Sequence, residues 1–318
     1  MNGNFGEAVL SQGALSPYQG GLCLIRAIQG FANPFLTSFM KLITNVVSDY
    51  VFFAVIMILF WLVNERKAFR LGLLVLLSAW FNTVLKVLFK QPRPFHLEND
   101  LGMIYESGYG LPSGHAQLIL VFLVPLALWL VKTPGTFRPR NAFIAAVTAL
   151  FVLLVSFSRL YLGLHFPQDI LAGWILGGLS LALFLFLEKK EFLRSPRARL
   201  GAAAALSFLM NALNPREISL GATLFGFASG YALMKSRFPF SAKNGVSPRS
   251  AIVRLTAGFC GVLILYAGLR LIFPGPSSSW YSLFRFIRYA VIGFWVSCAA
   301  PWLFGKLPVT GSCKKAKG

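Results

Sequence analysis

Residues 141–158 read Asn-Ala-Phe-Ile-Ala-Ala-Val-Thr-Ala-Leu-Phe-Val-Leu-Leu-Val-Ser-Phe-Ser, with no charged side chain, and Arg159 follows at once. A helix crossing a bilayer core needs about 20 such residues. Working outward, comparable apolar runs lie near 44–64, 69–89, 113–131, 168–188, 199–214, 217–234, 252–273 and 281–304. The chain has 318 residues, 56% of them hydrophobic and 13% charged, and its mean hydropathy is +0.67. A soluble domain carries about 25% charged residues, and no soluble fold of this length covers so much apolar surface. The same composition excludes intrinsic disorder. Four separate cysteines without a CxxC pair exclude a disulfide scaffold, a zinc ribbon and a thiol-redox motif. Lipid offers no partner to open strand edges. The expected fold is therefore all-α, a polytopic transmembrane helix bundle of about nine spans. Leu22 to Lys41, interrupted by Arg26 and Asn33, reads as an N-terminal interfacial helix. The expected division is a core over 1–188, with the interfacial helix and five spans, and a C-terminal membrane extension over 189–318 of about four spans.

The formal charge of +20, from 30 basic and 10 acidic residues, would suggest nucleic acid in a soluble chain. Here the basic residues fall between apolar runs, and no nucleic-acid-binding module is present. The links after the first, third, fifth and seventh spans, together with the tail, hold 20 of the 30. The positive-inside rule puts these on the cytoplasmic side and the N-terminus outside. The first 20 residues have no basic residue and no long apolar core, so they do not read as a signal peptide. No repeat relates the two halves, which argues against an inverted-repeat transporter.

Three polar clusters fall on the outer side: Lys86 to Pro94, Pro112-Ser113-Gly114-His115, and Ser158-Arg159 through His165 to Asp169. Helix N-termini bind anions through free N–H groups and the positive dipole end. Ser113 is a natural N-cap, Gly114 admits an anion close to the backbone, and Pro167 suits a first helical turn. His165 and Asp169 are four apart, so the carboxylate can meet the imidazole and fix its tautomer. That makes His165 a candidate nucleophile, with His115 as general acid and then general base. Lys86, Arg93 and Arg159 add fixed positive charge. Together these residues describe a site for an oxyanion undergoing phosphoryl transfer.

Lys86 with Arg93-Pro94 seven residues on, then Pro112-Ser113-Gly114-His115, then Ser158-Arg159 with His165 and Asp169, resembles the tripartite signature of the type 2 phosphatidic acid phosphatase superfamily, over about residues 80–175. The resemblance implies that His165 attacks phosphorus to form a phosphohistidine, supported by Asp169, and that His115 protonates the leaving alcohol and later activates water. It also implies that Lys86, Arg93, Ser113, Gly114 and Arg159 hold the phosphoryl oxygens, and that no metal or other cofactor takes part. The span layout is similar to the glucose-6-phosphatase and sphingosine-phosphate phosphatase branches. The expected partners are a phosphorylated lipid substrate and membrane lipids, with no nucleic acid. The expected location is a bacterial cytoplasmic membrane, with the site on the periplasmic side. Hydrolysis of a soluble phosphate ester, or a catalytically silent lipid-phosphate binder, are the alternative readings.

Other polar residues read more plainly. Lys90, outside the motif register, is an interfacial anchor. His96 is a loop residue, and Glu98, Asp100 and Glu106 are solvated loop acids. Arg270, Arg285 and Arg288, within or near spans, call for a partner or a water-filled cavity. Asn211 to Glu217 reads as a helix stop and cap.

Overall fold

A computed structural model describes residues 16–131, 138–189, 196–215, 217–244 and 246–307. Lys132, Lys190, Arg194, Arg216, Lys314, Lys315 and Lys317, counted in the charge argument, lie outside the described residues. The helices are α1 (Gln19–Gln29), α2 (Pro34–Val46), α3 (Asp49–Ile58, continuing as a π turn over Leu59–Val63), α4 (Glu65–Phe89), α5 (Gly114–Leu130), α6 (Pro139–Tyr161), α7 (Pro167–Lys189), α8 (Pro196–Leu213), α9 (Ile218–Arg237), α10 (Pro248–Ile272) and α11 (Tyr281–Phe294, continuing into Trp295–Ala299). The described residues contain no strand, so the fold is all-helical. Proline opens α2, α6, α7, α8 and α10, where its missing N–H would have had no partner and its φ is already helical.

The expected single interfacial helix is two helices. Asn33 accepts a hydrogen bond from the Leu36 N–H at 2.9 Å, and Pro34 takes the first helical position. A fresh N-terminus is built there, and a helix cannot run through it. The expected count of nine spans is not confirmed. Among the described residues, five helical segments are long and apolar enough to cross a membrane: Glu65–Leu97, Pro139–Tyr161, Pro167–Phe186, Pro248–Ile272 and Tyr281–Phe304. The pair Pro34–Val46 and Tyr50–Val63, bent by 52°, makes a sixth if taken as one span. Gly114–Leu130 and Leu200–Leu213 are shorter apolar helices. The expected span at 217–234 is α9, which contains three glycines and ends in Lys235 and Arg237. Much of α9 is buried by protein, including Leu224, Phe227, Tyr231 and Met234. A helix sheltered by its neighbours does not need a lipid-facing surface, which is why hydropathy alone does not describe it well.

By internal contacts the chain separates into two units: Met1–Phe52 with Phe81–Phe186, and Phe53–Trp80 with Leu187–Gly318. In the first unit, α7 meets α5 at glycine. A Cβ on Gly173 would stand 2.7 Å from the Ser113 carbonyl oxygen, and one on Gly177 would stand 3.0 Å from that of Gln117. Trp174 Nε1 donates to Ser156 Oγ of α6 at 3.0 Å. From the N-terminal helices, Thr37 Oγ1 and the Tyr161 hydroxyl share a hydrogen bond of 2.8 Å.

In the second unit, Trp61 is fully buried and donates through Nε1 to the Val296 carbonyl at 2.9 Å. Glu65 accepts from Lys235 Nζ at 2.8 Å and from the Ala242 N–H at 3.0 Å. The buried Arg254 guanidinium donates to the carbonyls of Trp61, Ala242 and Asn244. Two of the three arginines expected to need partners near spans find them here. Arg285 pairs with Glu217 at 3.4 Å, and Arg288 lies over the rings of Tyr266 and Tyr289, 5.6 and 5.1 Å from their centroids.

Candidate active site

All eight residues singled out by the sequence lie in the first unit. Ser113 caps α5, its hydroxyl accepting from the Ala116 N–H at 3.5 Å. Its own N–H donates to the Asp169 carbonyl at 2.9 Å, and its carbonyl accepts from the Gln117 N–H. This leaves the N–H groups of Gly114 and His115 as the donors at the head of the helix. Beneath them Asn82 Nδ2 donates to Gln117 Oε1 at 2.8 Å and to the Pro112 carbonyl at 3.4 Å. The half-buried His115 is the second residue of α5.

The third cluster closes α6 and opens α7. Gly163, at φ +69°, turns the chain after α6, and the N–H groups of Leu164 and His165 return to the Arg159 carbonyl. Pro167 then starts α7 and brings Asp169 beneath His165. His165 Nδ1 is 3.3 Å from Asp169 Oδ2. The Asp169 carboxylate also accepts from the Phe166 N–H at 2.9 Å and from Gln91 Nε2 at 2.7 Å. On the other side of the ring, Arg93 Nη1 approaches His165 Nε2 at 3.4 Å. A carboxylate on one ring nitrogen and a guanidinium donor on the other assign the proton to Nδ1 and the lone pair to Nε2. His165 is 1% exposed. Burial comes first, and the charges of Arg93, Lys86 and Arg159 add to it, holding the imidazole well below the usual histidine range. At neutral pH it is uncharged, with a lone pair to offer.

The cations surround this ring. Lys86, in the last turn of α4, donates to the carbonyls of Tyr109 and Gly110 at 2.7 and 3.3 Å. Arg93 is 3% exposed and donates to the carbonyls of Gly108 (3.0 Å) and Leu164 (3.3 Å). Arg159 is fully buried. Its Nη1 donates to Thr44 Oγ1 at 2.6 Å, while its Nε has no hydrogen-bond partner among the described residues. A buried guanidinium donor without a partner is rare and marks a place where an acceptor can bind.

Glu106 corrects the sequence reading, which placed it among solvated loop acids. Both of its oxygens lie 2.6 Å from Arg159 Nη2, and Oε2 lies 3.2 Å from Arg93 Nη1. Burial would raise its carboxyl, but the charge and hydrogen bonds of Arg159, followed by the charge of Arg93, hold it down at about 2. Glu98, another of those acids, pairs with Arg26 at 2.6 Å. His96 is more than a loop residue, because its Nδ1 accepts from the Arg93 N–H at 3.2 Å and fixes the backbone that presents Arg93. Lys90 is exposed, at φ +49°, just past the end of α4. Gln91, Thr44 and Asn82 were missed as well. Each acts through a neighbour far away in sequence, and no local pattern announces it.

The arrangement can bind a tetrahedral oxyanion between two guanidiniums, an ammonium and a helix N-terminus, with a neutral imidazole nitrogen beside it. The sequence model of the PAP2 superfamily matches residues 67–192, and that of the PAP2 superfamily phosphatase transmembrane extension matches 218–312. Lipid phosphate phosphatase delta of Arabidopsis thaliana is 31% identical over 205 residues, 60% of this chain and 48% of that protein. Phosphatidylglycerophosphatase B of Bacillus subtilis is 33% identical over 125 residues, 38% of this chain and 57% of that protein. Undecaprenyl-diphosphatase of Sulfolobus acidocaldarius is 30% identical over 148 residues, 45% of this chain and 66% of that protein. The chain thus spans between about half and two thirds of the length of these relatives. With its apolar spans, its three motif clusters gathered in one unit and both sequence models matched in order, the chain is an integral membrane protein that belongs to the PAP2 superfamily, with a PAP2 domain followed by the PAP2 transmembrane extension.

Proposed function

We propose that this protein is a membrane phosphatase that hydrolyses a lipid phosphate or diphosphate monoester through a phosphohistidine on His165. The observation that carries the reading is the line Asp169–His165–Arg93. A carboxylate sits at Nδ1, and a guanidinium lies 3.4 Å from Nε2, where it can hold a phosphoryl oxygen next to the attacking nitrogen. In the first step the Nε2 lone pair bonds to phosphorus, the bond from phosphorus to the ester oxygen breaks, and His115 gives its proton to the departing alkoxide. In the second step His115 takes a proton from water, the resulting hydroxide attacks phosphorus, and the P–N bond breaks to restore His165 and release phosphate. Asp169 stabilises the imidazolium in both steps. Lys86, Arg93, Arg159 and the N–H groups at Gly114 and His115 hold the oxygens as charge builds.

Cations and a helix dipole supply the neutralisation that a metal would otherwise bring, so the chemistry is assigned as metal-independent. The relatives are named as phosphatases of lipid phosphate, phosphatidylglycerophosphate and undecaprenyl diphosphate, and the apolar spans suit a substrate that stays in the bilayer. Every residue given a role lies within 1–188, and 189–318 is read as the membrane extension. The excess of basic residues on one set of loops supports a site on the outer face, read here as the periplasmic face of a bacterial cytoplasmic membrane.

The test is phosphate release by the purified protein from phosphatidate, phosphatidylglycerophosphate, undecaprenyl diphosphate, a sphingoid phosphate and glucose 6-phosphate. Release from the lipids with little from the sugar phosphate is expected. Turnover of the sugar phosphate alone would refute the lipid assignment, and release from none would refute the enzyme.

A further inference from the structure

Gln29 is the last residue of α1, and the mechanism above does not use it. Its Nε2 donates to the Leu101 carbonyl at 2.9 Å and to the Tyr161 carbonyl at 2.8 Å. The two acceptors belong to different parts of the site. Tyr161 ends α6, so its carbonyl is one of those left without a partner inside the helix, and His165 follows four residues later. Leu101 stands at the head of the loop that reaches Glu106 five residues on.

The two loops also touch directly. Gly163 faces the Leu101 carbonyl so closely that a Cβ would overlap it, and the Met103 N–H donates to the Leu162 carbonyl at 3.3 Å. Gln29 spans this junction from outside and uses both amide hydrogens to do so. Its own helix is fixed in place. Gly21 abuts the Phe166 ring, with a notional Cβ at 2.7 Å, and Tyr18 packs on the same ring at 5.0 Å between centroids. Arg26 pairs with Glu98.

We propose that Gln29 is a positioning residue: by bridging the Leu101 and Tyr161 carbonyls it sets the spacing between the loop that presents His165 and the loop that presents Glu106 to Arg159 and Arg93. It touches no reacting atom and acts through the two carbonyls. The proposal rests on the assignment of His165 as nucleophile. A displacement of about 1 Å in a reacting group can cost about 10²-fold in rate. Losing the bridge should therefore show in the attack step more than in substrate binding.

The experiment compares wild type, Gln29→Met, which keeps the shape without donors, and Gln29→Lys, which restores a donor. Each is purified in detergent, melted thermally, assayed for kcat and KM on phosphatidate, and quenched in alkaline detergent after mixing with radiophosphate-labelled phosphatidate. Expected is an about 10–100-fold slower phosphoenzyme formation in Gln29→Met, with KM little changed and most of the rate regained in Gln29→Lys. Wild-type rates in Gln29→Met would overturn the proposal. Equal losses of rate and melting temperature in both variants would also overturn it, since a merely structural residue gives that result. An active wild type without alkali-stable, acid-labile label refutes instead the His165 reading on which the proposal rests.

Discussion

Replacing Glu106 with glutamine removes one charge from the centre of the cation cluster, and the size of the effect follows from the geometry. The carboxylate is shared by Arg159, which is fully buried, and Arg93, which is nearly so. Its pKa falls from the ordinary 4.5 to about 2, which at about 1.4 kcal/mol per unit corresponds to about 3 kcal/mol. The side chain is 31% exposed, so solvent screening brings the expectation to about 1–3 kcal/mol. The folded-state pKa is depressed, so the contribution is complete above the unfolded value of about 4.5. It drains away as pH falls toward about 2. Thermal melts in detergent should therefore show Glu106→Gln below wild type at pH 7, with the gap narrowing once the pH drops under 4.5. The variant also leaves two guanidiniums short of an anion, so vanadate at pH 7 should raise its melting temperature more than that of wild type. An equal gap at pH 7 and pH 3.5, together with equal vanadate responses, would refute the account of Glu106 as the carboxylate that neutralises Arg159 and Arg93.

The two histidines should separate by step. His165→Ala should lose turnover and alkali-stable label together, whereas His115→Ala should lose about 10²–10⁴-fold on an alkyl phosphate and recover part of that on a nitrophenyl phosphate, whose leaving group needs no proton; label on His115 in wild type would reverse the assignment. Asp169→Asn should fold yet slow the reaction by up to about 10⁴-fold, because an amide can hold the ring without stabilising its positive charge; steady-state rates beside a melting curve check both halves. Activity on phosphatidate should survive excess EDTA, and a loss restored specifically by magnesium or zinc would count against the site as described. Cysteines placed at Ser107 and Lys243 should label from opposite sides of the membrane, and labelling of Ser107 from the cytoplasmic face alone would invert the topology.

The helical class and the three motif clusters that the fold gathers in one unit were legible because both are written locally. Apolar runs such as 141–158 need no partner to be recognised, and Ser113 and Pro167 announce helix starts by their own chemistry. The break before Pro34 was legible in principle, since Asn33-Pro34 is a cap followed by a first-turn proline, but the apolar residues on either side hid it. Glu106 was not legible. An acid in a loop reads as solvated until the chain closes and brings Arg159, 53 residues away, against it. Gln29 is the extreme case, its two acceptors lying 72 and 132 residues along the chain. The span count was less legible for another reason, because hydropathy reports what a helix can tolerate from lipid and says nothing about α9 being wrapped in protein.

The glycine contacts between α7 and α5 constrain how this site can diversify. The distance between the two helix heads is fixed where the Gly173 and Gly177 backbones rest on the Ser113 and Gln117 carbonyls, with the Ala116 and Leu120 side chains already 3.2 and 3.4 Å from where a Cβ would stand. A lineage, or a laboratory selection, that seeks to admit a bulkier head group cannot widen the opening by substitutions along this seam, since any added carbon spreads the helices and takes the anion donors with them. Variation compatible with catalysis is thereby channelled into the side chains of the 95–111 loop other than His96 and Glu106, which hold Arg93 and Arg159, and these are the positions to randomise first when a new substrate range is wanted.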